Sequence, residues 1–320
     1  MTTCRRPAPA RSTASNCART DNPEREKTVE EKVSFQSDGL TLSGVVHTPA
    51  DLAPGTERPA FLVLHGFGTG KDGSTPEILA NMLADWGYVA MRFDFRSCGE
   101  SEGEPAWVMC EDQVEDVKHA VTWFADQPYV DGSRIGVIGH SFGAAVAVYA
   151  GGVDERIAAV ISSCGWGDGE SKFRLQHKSD EEWARFLKML EDGKAHRAKT
   201  GKSLMVDRWD IVPIPEHLRG HMGKNVHMKF PAETAQSMFD FRANDVIADI
   251  SPRPCLLFHA ADDSVTPTDQ SLQLFAHAKQ PTDLMLLSDV DHFPFSVDSL
   301  RARDAVKGWL DRYFPARPDQ

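Results

Sequence analysis

No stretch of this 320-residue chain approaches the roughly 20 consecutive apolar residues of a membrane-spanning helix, so no membrane span is expected. Positive charge is in deficit. Thirty-five Lys and Arg face 47 Asp and Glu, a net charge of -12, which argues against a general nucleic-acid binder. The six cysteines, at positions 4, 17, 98, 110, 164 and 255, form no C-x-x-C pair and no metal-ligand pattern. Cys164 and Cys255 lie in apolar strand-like runs, where a reduced cysteine behaves as a small core residue. A reducing, cytoplasmic setting is the simpler expectation. The N-terminal stretch lacks an apolar segment and is not read as a secretory signal. Residues 1–32, rich in Arg, Ser, Ala and Pro, are expected to be a disordered tail. Arg5, Arg6, Arg11 and Arg19 stand in the manner of an organelle transit peptide, a reading that the prolines oppose.

What remains is globular in composition, 41% hydrophobic and 26% charged. Its length suits one large α/β domain with an inserted subdomain. The organising stretch is Arg134 to Ala147, RIGVIGHSFGAAVA. A short β-branched run leads into Gly139-His140-Ser141-Phe142-Gly143, and a small-residue helical segment follows. Strand, G-x-S-x-G and helix in that order are the context of a nucleophile elbow. Gly139 and Gly143 let the backbone pass closely and project Ser141 Oγ from the sheet. The new helix turns its N-terminal N–H groups toward the reacting oxygen.

Before the elbow, Val33 to His47 alternates around Ser37-Asp38-Gly39 and predicts a hairpin. Ala60 to Leu64 predicts a buried strand ending at His65-Gly66-Phe67-Gly68. Acyl chemistry needs two backbone N–H donors at the oxyanion: the residue after the nucleophile, Phe142, and one from this earlier loop, Phe67. His65 is read as supporting the loop by packing and hydrogen bonding rather than as a proton carrier. Pro76 to Trp86 and Glu111 to Ala125 predict helices, and Tyr88 to Phe93 a strand. Asp94 and Arg96 are read as a structural ion pair or loop clamp. Ala158 to Ser162 predicts a further strand, so the expected architecture is α/β, a mostly parallel sheet with helices on both faces.

From residue 165 to 244 strand signals fade. Trp183, Phe186, Leu187 and Leu190 make a helical stripe, and a helix is expected from Ala232 to Phe241. We expect residues 33–164 and 245–316 to form the two parts of one core, and 165–244 a mainly helical cap. The aromatics of the cap are either its own core or substrate-facing walls; Phe67, Trp166, Trp183 and Trp209 are the candidate walls. His217, His221 and His227 are not read as a metal site, because no carboxylate completes the set. Arg253 to His259 returns to the sheet, and Asp262-Asp263 follows at its carboxyl end. Leu284 to Leu287 is the last strand, and His292 stands in the loop after it. These are the places for the acid and base of a Ser…Asp…His order. Leu300 to Phe314 predicts a closing helix.

Taken together, Ser37 to Gly39, His65 to Phe67, Asp94 to Ser101 and Gly139 to Gly143 resemble the α/β-hydrolase superfamily over roughly Val33 to Phe314. The likeness is to cinnamoyl/feruloyl-esterase-like and serine-aminopeptidase-like hydrolases. It implies Ser141 as nucleophile, Asp263 as acid and His292 as base. Asp263 is favoured over its neighbour Asp262, because His259, Asp263 and Pro267 match the family's acid loop. Ala260 replaces a usual glycine there, and Ala144 a frequent third glycine of the elbow. The resemblance implies a serine hydrolase of carboxylic esters acting on a small molecule without metal or cofactor. An amidase, peptidase or thioesterase on the same residues stays open, as does a non-catalytic ligand binder and a homodimer associated through the cap. Ser141, where haloalkane dehalogenases use a carboxylate, speaks against that chemistry.

Overall fold

The computed structural model describes residues 28–223, 226–295 and 299–317. Residues 1–27 of the expected tail, with Cys4 and Cys17, lie outside them. The chain opens with a hairpin of β1 (Val29–Ser37) and β2 (Leu40–Thr48). Asp38 and Gly39, at φ of +48° and +83°, form its turn, as a two-residue hairpin loop with right-handed twist requires. The pairing starts at Val29 opposite Thr48, four residues before the expected Val33. The side chains of residues 29–32 are exposed, so no apolar alternation marks them.

Next come β3 (Arg58–Leu64), α1 (Ser74–Asp85), β4 (Val89–Phe93), α2 (Cys110–Ala125), β5 (Val130–His140), α3 (Phe142–Val153) and β6 (Ile157–Ser163). The insertion holds α4 (Gly169–Gln176), α5 (Asp180–Thr200), β7 (Met205–Asp207), α6 (Arg208–Ile211), a 3-10 turn (Glu216–Met222), β8 (Lys229–Pro231) and α7 (Ala232–Asp240). The core then resumes with β9 (Cys255–Ala260), α8 (Asp269–His277), β10 (Thr282–Leu287) and α9 (Leu300–Tyr313).

Eight strands form one sheet in the order β1-β2-β4-β3-β5-β6-β9-β10. β1–β2 and β2–β4 pair antiparallel, and the other five pairings of this sheet are parallel. The central strands are buried on both faces, as parallel strands between helix layers must be. In β3, Leu62 and Leu64 pack on the side of α2, α3 and the insertion, while Phe61 and Val63 face α1 and α9. A period of two thus divides one apolar run between two cores. The turn-forming triplet Asp131-Gly132-Ser133 is absorbed into β5. Its pairing with β3 jumps from Arg58–Val130 to Ala60–Ile135, so residues 131–134 bulge from the ladder.

The insertion leaves and returns at one neck. Asp168 pairs with Arg242 at 2.8 Å, the Gly169 amide donates to Phe241 O and the Asn244 amide to Gly167 O. Its long helix, α5, starts in a reciprocal Ser179–Glu182 capping box and ends on Gly201 at φ +71°. The two-stranded pair β7–β8 is a feature that the sequence pattern does not signal; each strand is three residues long.

Candidate active site

Strand β5 and helix α3 meet at Ser141, whose backbone stands at φ +57°, ψ -116°. This region is costly for a residue with a side chain and persists only where the surroundings enforce it. The Ser141 amide donates to Ser163 O at 2.8 Å, tying the turn to β6. A Cβ on Gly139 would lie 2.0 Å from the Gly143 carbonyl oxygen, and one on Gly143 2.5 Å from that of His65. Both flanking glycines are therefore steric necessities.

The loops after β9 and β10 bring Asp263 and His292 to this serine. His292 Nε2 is 2.9 Å from Ser141 Oγ, and Nδ1 is 2.8 Å from Asp263 Oδ2. Asp263 Oδ1 accepts the amides of Val265 and Thr266, each at 2.8 Å. Burial pushes this carboxyl up, but His292, together with His259 at 3.3 Å, outweighs it and holds Asp263 well below the usual carboxylate range. Asp262 is exposed to solvent. Asp291 accepts from the amide and hydroxyl of Ser264 and from the His292 amide, binding the two loops together. The His140 ring lies 4.9 Å from that of His292, tilted by 48°, and burial holds its imidazole far below the ordinary range, so it adds no charge there. A serine on one imidazole nitrogen and an ionised carboxylate on the other can generate a nucleophile by proton transfer.

Opposite Ser141 lies the loop 65–69. Neither the Phe67 amide nor the Phe142 amide has an acceptor among the described residues. The Gly66 carbonyl, which shares a peptide unit with the Phe67 amide, is heavily engaged. The Phe95 amide donates to His65 Nε2 at 3.2 Å, which puts the proton on Nδ1, 2.9 Å from Gly66 O. Thr69 adds its hydroxyl at 3.0 Å and its amide at 3.3 Å. Donors on a peptide carbonyl polarise that unit and strengthen its N–H as a donor. His65 is fully buried, and burial lowers its pKa, in keeping with a neutral supporting ring.

The insertion reaches the same loop. Arg208, from α6, donates to Phe67 O, to Gly68 O at 3.4 Å and to His227 O at 3.0 Å. Phe230 stacks on Phe67 at 4.3 Å, and the His227 amide donates to Gly68 O. No sequence signal marked Arg208, a lone arginine in an irregular stretch.

The cavity over Ser141 and His292 is lined by Phe67, Arg208, Val212, Ile214, Met222 and Val265, among others, and measures about 40 Å³. Of the four candidate walls only Phe67 lines it. Trp166 packs edge-on against Phe142 at 5.5 Å, Trp183 stacks on Phe186 at 5.8 Å, and Trp209 lies under the Arg219 guanidinium at 4.1 Å. His221 and Phe293 line it instead, stacked at 4.8 Å.

His217, His221 and His227 diverge: His217 faces Asp291 at 3.9 Å, His221 stacks on Phe293, and His227 Nε2 meets Ser97 O at 2.9 Å. Among the described residues the one cluster of three metal-type ligands is Cys164, Asp263 and His292, in which Asp263 already holds His292 Nδ1. Asp94 and Arg96 do not pair with each other. Asp94 binds Lys71 at 2.7 Å, and Arg96 binds Asp116 and Asp38 at 2.7 and 2.8 Å, so each clamps a separate loop.

This sheet order, with a strained serine at the end of β5, defines an α/β-hydrolase. The chain belongs to the X-Pro dipeptidyl-peptidase (S15) family, whose model matches residues 38–294. The polyketide transferase grgF of a Penicillium species is 29% identical over 270 residues, 80% of this chain and 86% of that protein. Its crystal structure superposes with a TM-score of 0.72 at 24% identity, covering 89% of this chain and 99% of that one. The thiohydrolase aneE of Aspergillus aculeatus is 28% identical over 289 residues, 83% of this chain and 87% of that protein. The ferulic-acid-bound esterase Est1E of Butyrivibrio proteoclasticus shares the fold, with a TM-score of 0.64 at 16% identity, covering 88% of this chain and 98% of that one. Among the described residues no helix is long and apolar enough to cross a membrane.

Proposed function

We propose that this chain is a serine hydrolase of carboxylic esters, acting on a small to medium, partly apolar substrate through an acyl-enzyme. The observation that carries the reading is the continuous hydrogen-bonded line from Ser141 through His292 to Asp263. Ser141 Oγ attacks the ester carbonyl as its proton passes to His292 Nε2. Asp263 holds the imidazole tautomer and stabilises the imidazolium. The Phe67 and Phe142 amides receive the oxyanion, each worth roughly 3–4 kcal/mol of transition-state stabilisation. His292 gives its proton to the departing alkoxide, leaving an acyl-serine and an alcohol. A water then attacks, its proton taken by His292, and the carboxylic acid leaves as Ser141 is restored.

These steps use only groups of the chain and water. The insertion acts as the cap of the site, supplying Arg208, Val212, Ile214 and Met222 to the cavity. The likeness to grgF, a polyketide transferase, and aneE, a thiohydrolase, favours one further reading: the acyl donor is a thioester, which the same residues cleave.

Intact mass after fluorophosphonate treatment tests the proposal. One adduct on the wild type, absent from Ser141→Ala, is expected, and matched oxygen ester and thioester substrates then rank the two donors. A folded wild type that takes no adduct and turns over neither p-nitrophenyl acetate nor its thioester counterpart would overturn it.

A further inference from the structure

Four cationic side chains are buried among the described residues: Lys71, Arg92, Lys172 and Arg208. The two in the core are neutralised. Lys71 Nζ stands 2.7 Å from Asp94 and 2.6 Å from Glu100, and Arg92 stands 2.7 Å from Asp72. The two in the insertion are not. Lys172 and Arg208 are each 1% exposed. Among the described residues neither forms an ion pair, and the thiols near them, Cys110 and Cys98, are kept protonated by burial. Burying a cation without a counter-charge carries a large desolvation penalty. A chain with net charge -12 has carboxylates in abundance, yet none is placed here.

Both cations relate to the cavity over Ser141. Arg208 borders it, and its Nε is buried without an acceptor. Lys172 lies behind the wall. Its Nζ is 3.8 Å from the ring centre of Phe173 and 4.8 Å from that of Trp166. Trp166 rests on Phe142, the residue after the nucleophile. One turn along α4 from Lys172, Gln176 donates to the carbonyl of Val265, which lines the cavity. Trp166 Nε1 is a second buried donor without an acceptor. Beyond Phe142 and Val265 the chain thus holds a buried ammonium and an unpaired indole N–H, with Gln176 Oε1 as an unpaired acceptor, polar groups among which an apolar acyl chain would find only penalty.

We propose that the acyl pocket runs from Ser141 past Phe142 and Val265 to Lys172, and that it receives an acyl group ending in a carboxylate. Lys172 and the Trp166 indole N–H are the donors that bind this carboxylate, and Arg208 biases the mouth of the pocket toward negative charge. The proposal rests on the ester-hydrolase reading and names its substrate class. Burial lowers the Lys172 ammonium to about 7, which an anion beside it would reverse.

The test compares p-nitrophenyl monoesters of succinic, glutaric and adipic acids with neutral butyrate, valerate and hexanoate esters of matching chain length. We expect kcat/KM to favour the charged ester by about tenfold or more at one of the lengths. Lys172→Met and Lys172→Gln should bring that ratio toward one, and Lys172→Arg should restore part of it. Should the substitutions prevent folding, free adipate should inhibit the wild type about tenfold more strongly than hexanoate. A wild type that prefers the neutral ester at all three lengths, a ratio unmoved in Lys172→Met, or equal inhibition by the two acids overturns the proposal while leaving the hydrolase reading intact. If none of the six esters is turned over and Ser141 takes no fluorophosphonate, the hydrolase reading itself has failed and this proposal falls with it.

Discussion

The guanidinium of Arg208 donates to the carbonyl of Phe67 across 141 residues of sequence, joining the insertion to the loop that faces Ser141. Arg208→Met removes this grip and the bonds to Gly68 and His227. We expect kcat for a small neutral ester to fall by about 10²-fold, the scale of a 1 Å misplacement, with KM changing far less. Arg208→Lys should recover little, since one ammonium cannot span three carbonyls as the planar fork does. Steady-state kinetics check this; a KM effect alone would assign Arg208 to substrate binding rather than to positioning.

Asp263 and Asp262 are adjacent but unequal. Asp263 accepts from His292, Val265 and Thr266, whereas Asp262 is exposed. Asp263→Asn should lower kcat by on the order of 10⁴, because the amide favours the wrong imidazole tautomer. Asp262→Asn should stay within about twofold, as expected of a surface change. Equal losses in the two variants would reopen the choice of acid.

Gly143 and Gly308 make a paired stability test. A Cβ on Gly143 would meet the backbone oxygens of His65 and Leu64 at 2.5 and 2.6 Å, and backbone cannot yield as a flexible side chain does. Gly143→Ala should cost about 3 kcal/mol or more, or give no soluble protein. Nothing lies within 4 Å of a Cβ on Gly308 in α9, so Gly308→Ala should stabilise by about 0.5–1 kcal/mol. Urea denaturation reads both.

Acid should weaken the fold in two separate windows. His47, His65, His140 and His177 are buried, and burial lowers the pKa of each imidazole. In the unfolded chain each titrates near 6.5, so below that pH the unfolded state binds protons that the native state refuses. Stability is then full above about pH 6.5 and falls as pH drops, by up to roughly 1.4 kcal/mol per pH unit for each histidine. Asp263, with its pKa depressed, contributes stability above about pH 4 that fades only below it. Urea midpoints at pH 7.5, 5.5 and 4.5 should decrease in that order. A flat profile between pH 7.5 and 5.5 would contradict the buried-neutral assignment of the histidines.

The fold was legible in the sequence where a single periodicity governs. Buried parallel strands read as short apolar runs, and the glycines around Ser141 marked the turn because no other residue fits. The places of the acid and of His292 were legible because each follows a strand at its carboxyl end, while the preference for Asp263 over Asp262 came from the resemblance of its loop to the family's. The pocket was not. Val212, Ile214 and Met222 reach the cavity from irregular chain and a 3-10 turn, which have no face to repeat. Trp166 and Trp183 were candidate walls as aromatics of the insertion, but Trp166 is buried in the core and Trp183 packs half-buried against it. Arg208 and Lys172 look in sequence like ordinary solvated charges, and only burial without a carboxylate separates them from the other cations.

The neck at Asp168 and Arg242 makes the insertion a module in the genetic sense. Its two ends are bonded to each other, so a foreign segment spliced between Gly169 and Phe241 would leave the strand order undisturbed. Such a chimera would inherit the serine, the histidine and the aspartate but forfeit Arg208. A graft can therefore be exchanged for its selectivity only if it brings its own cation to the carbonyls of Phe67 and Gly68.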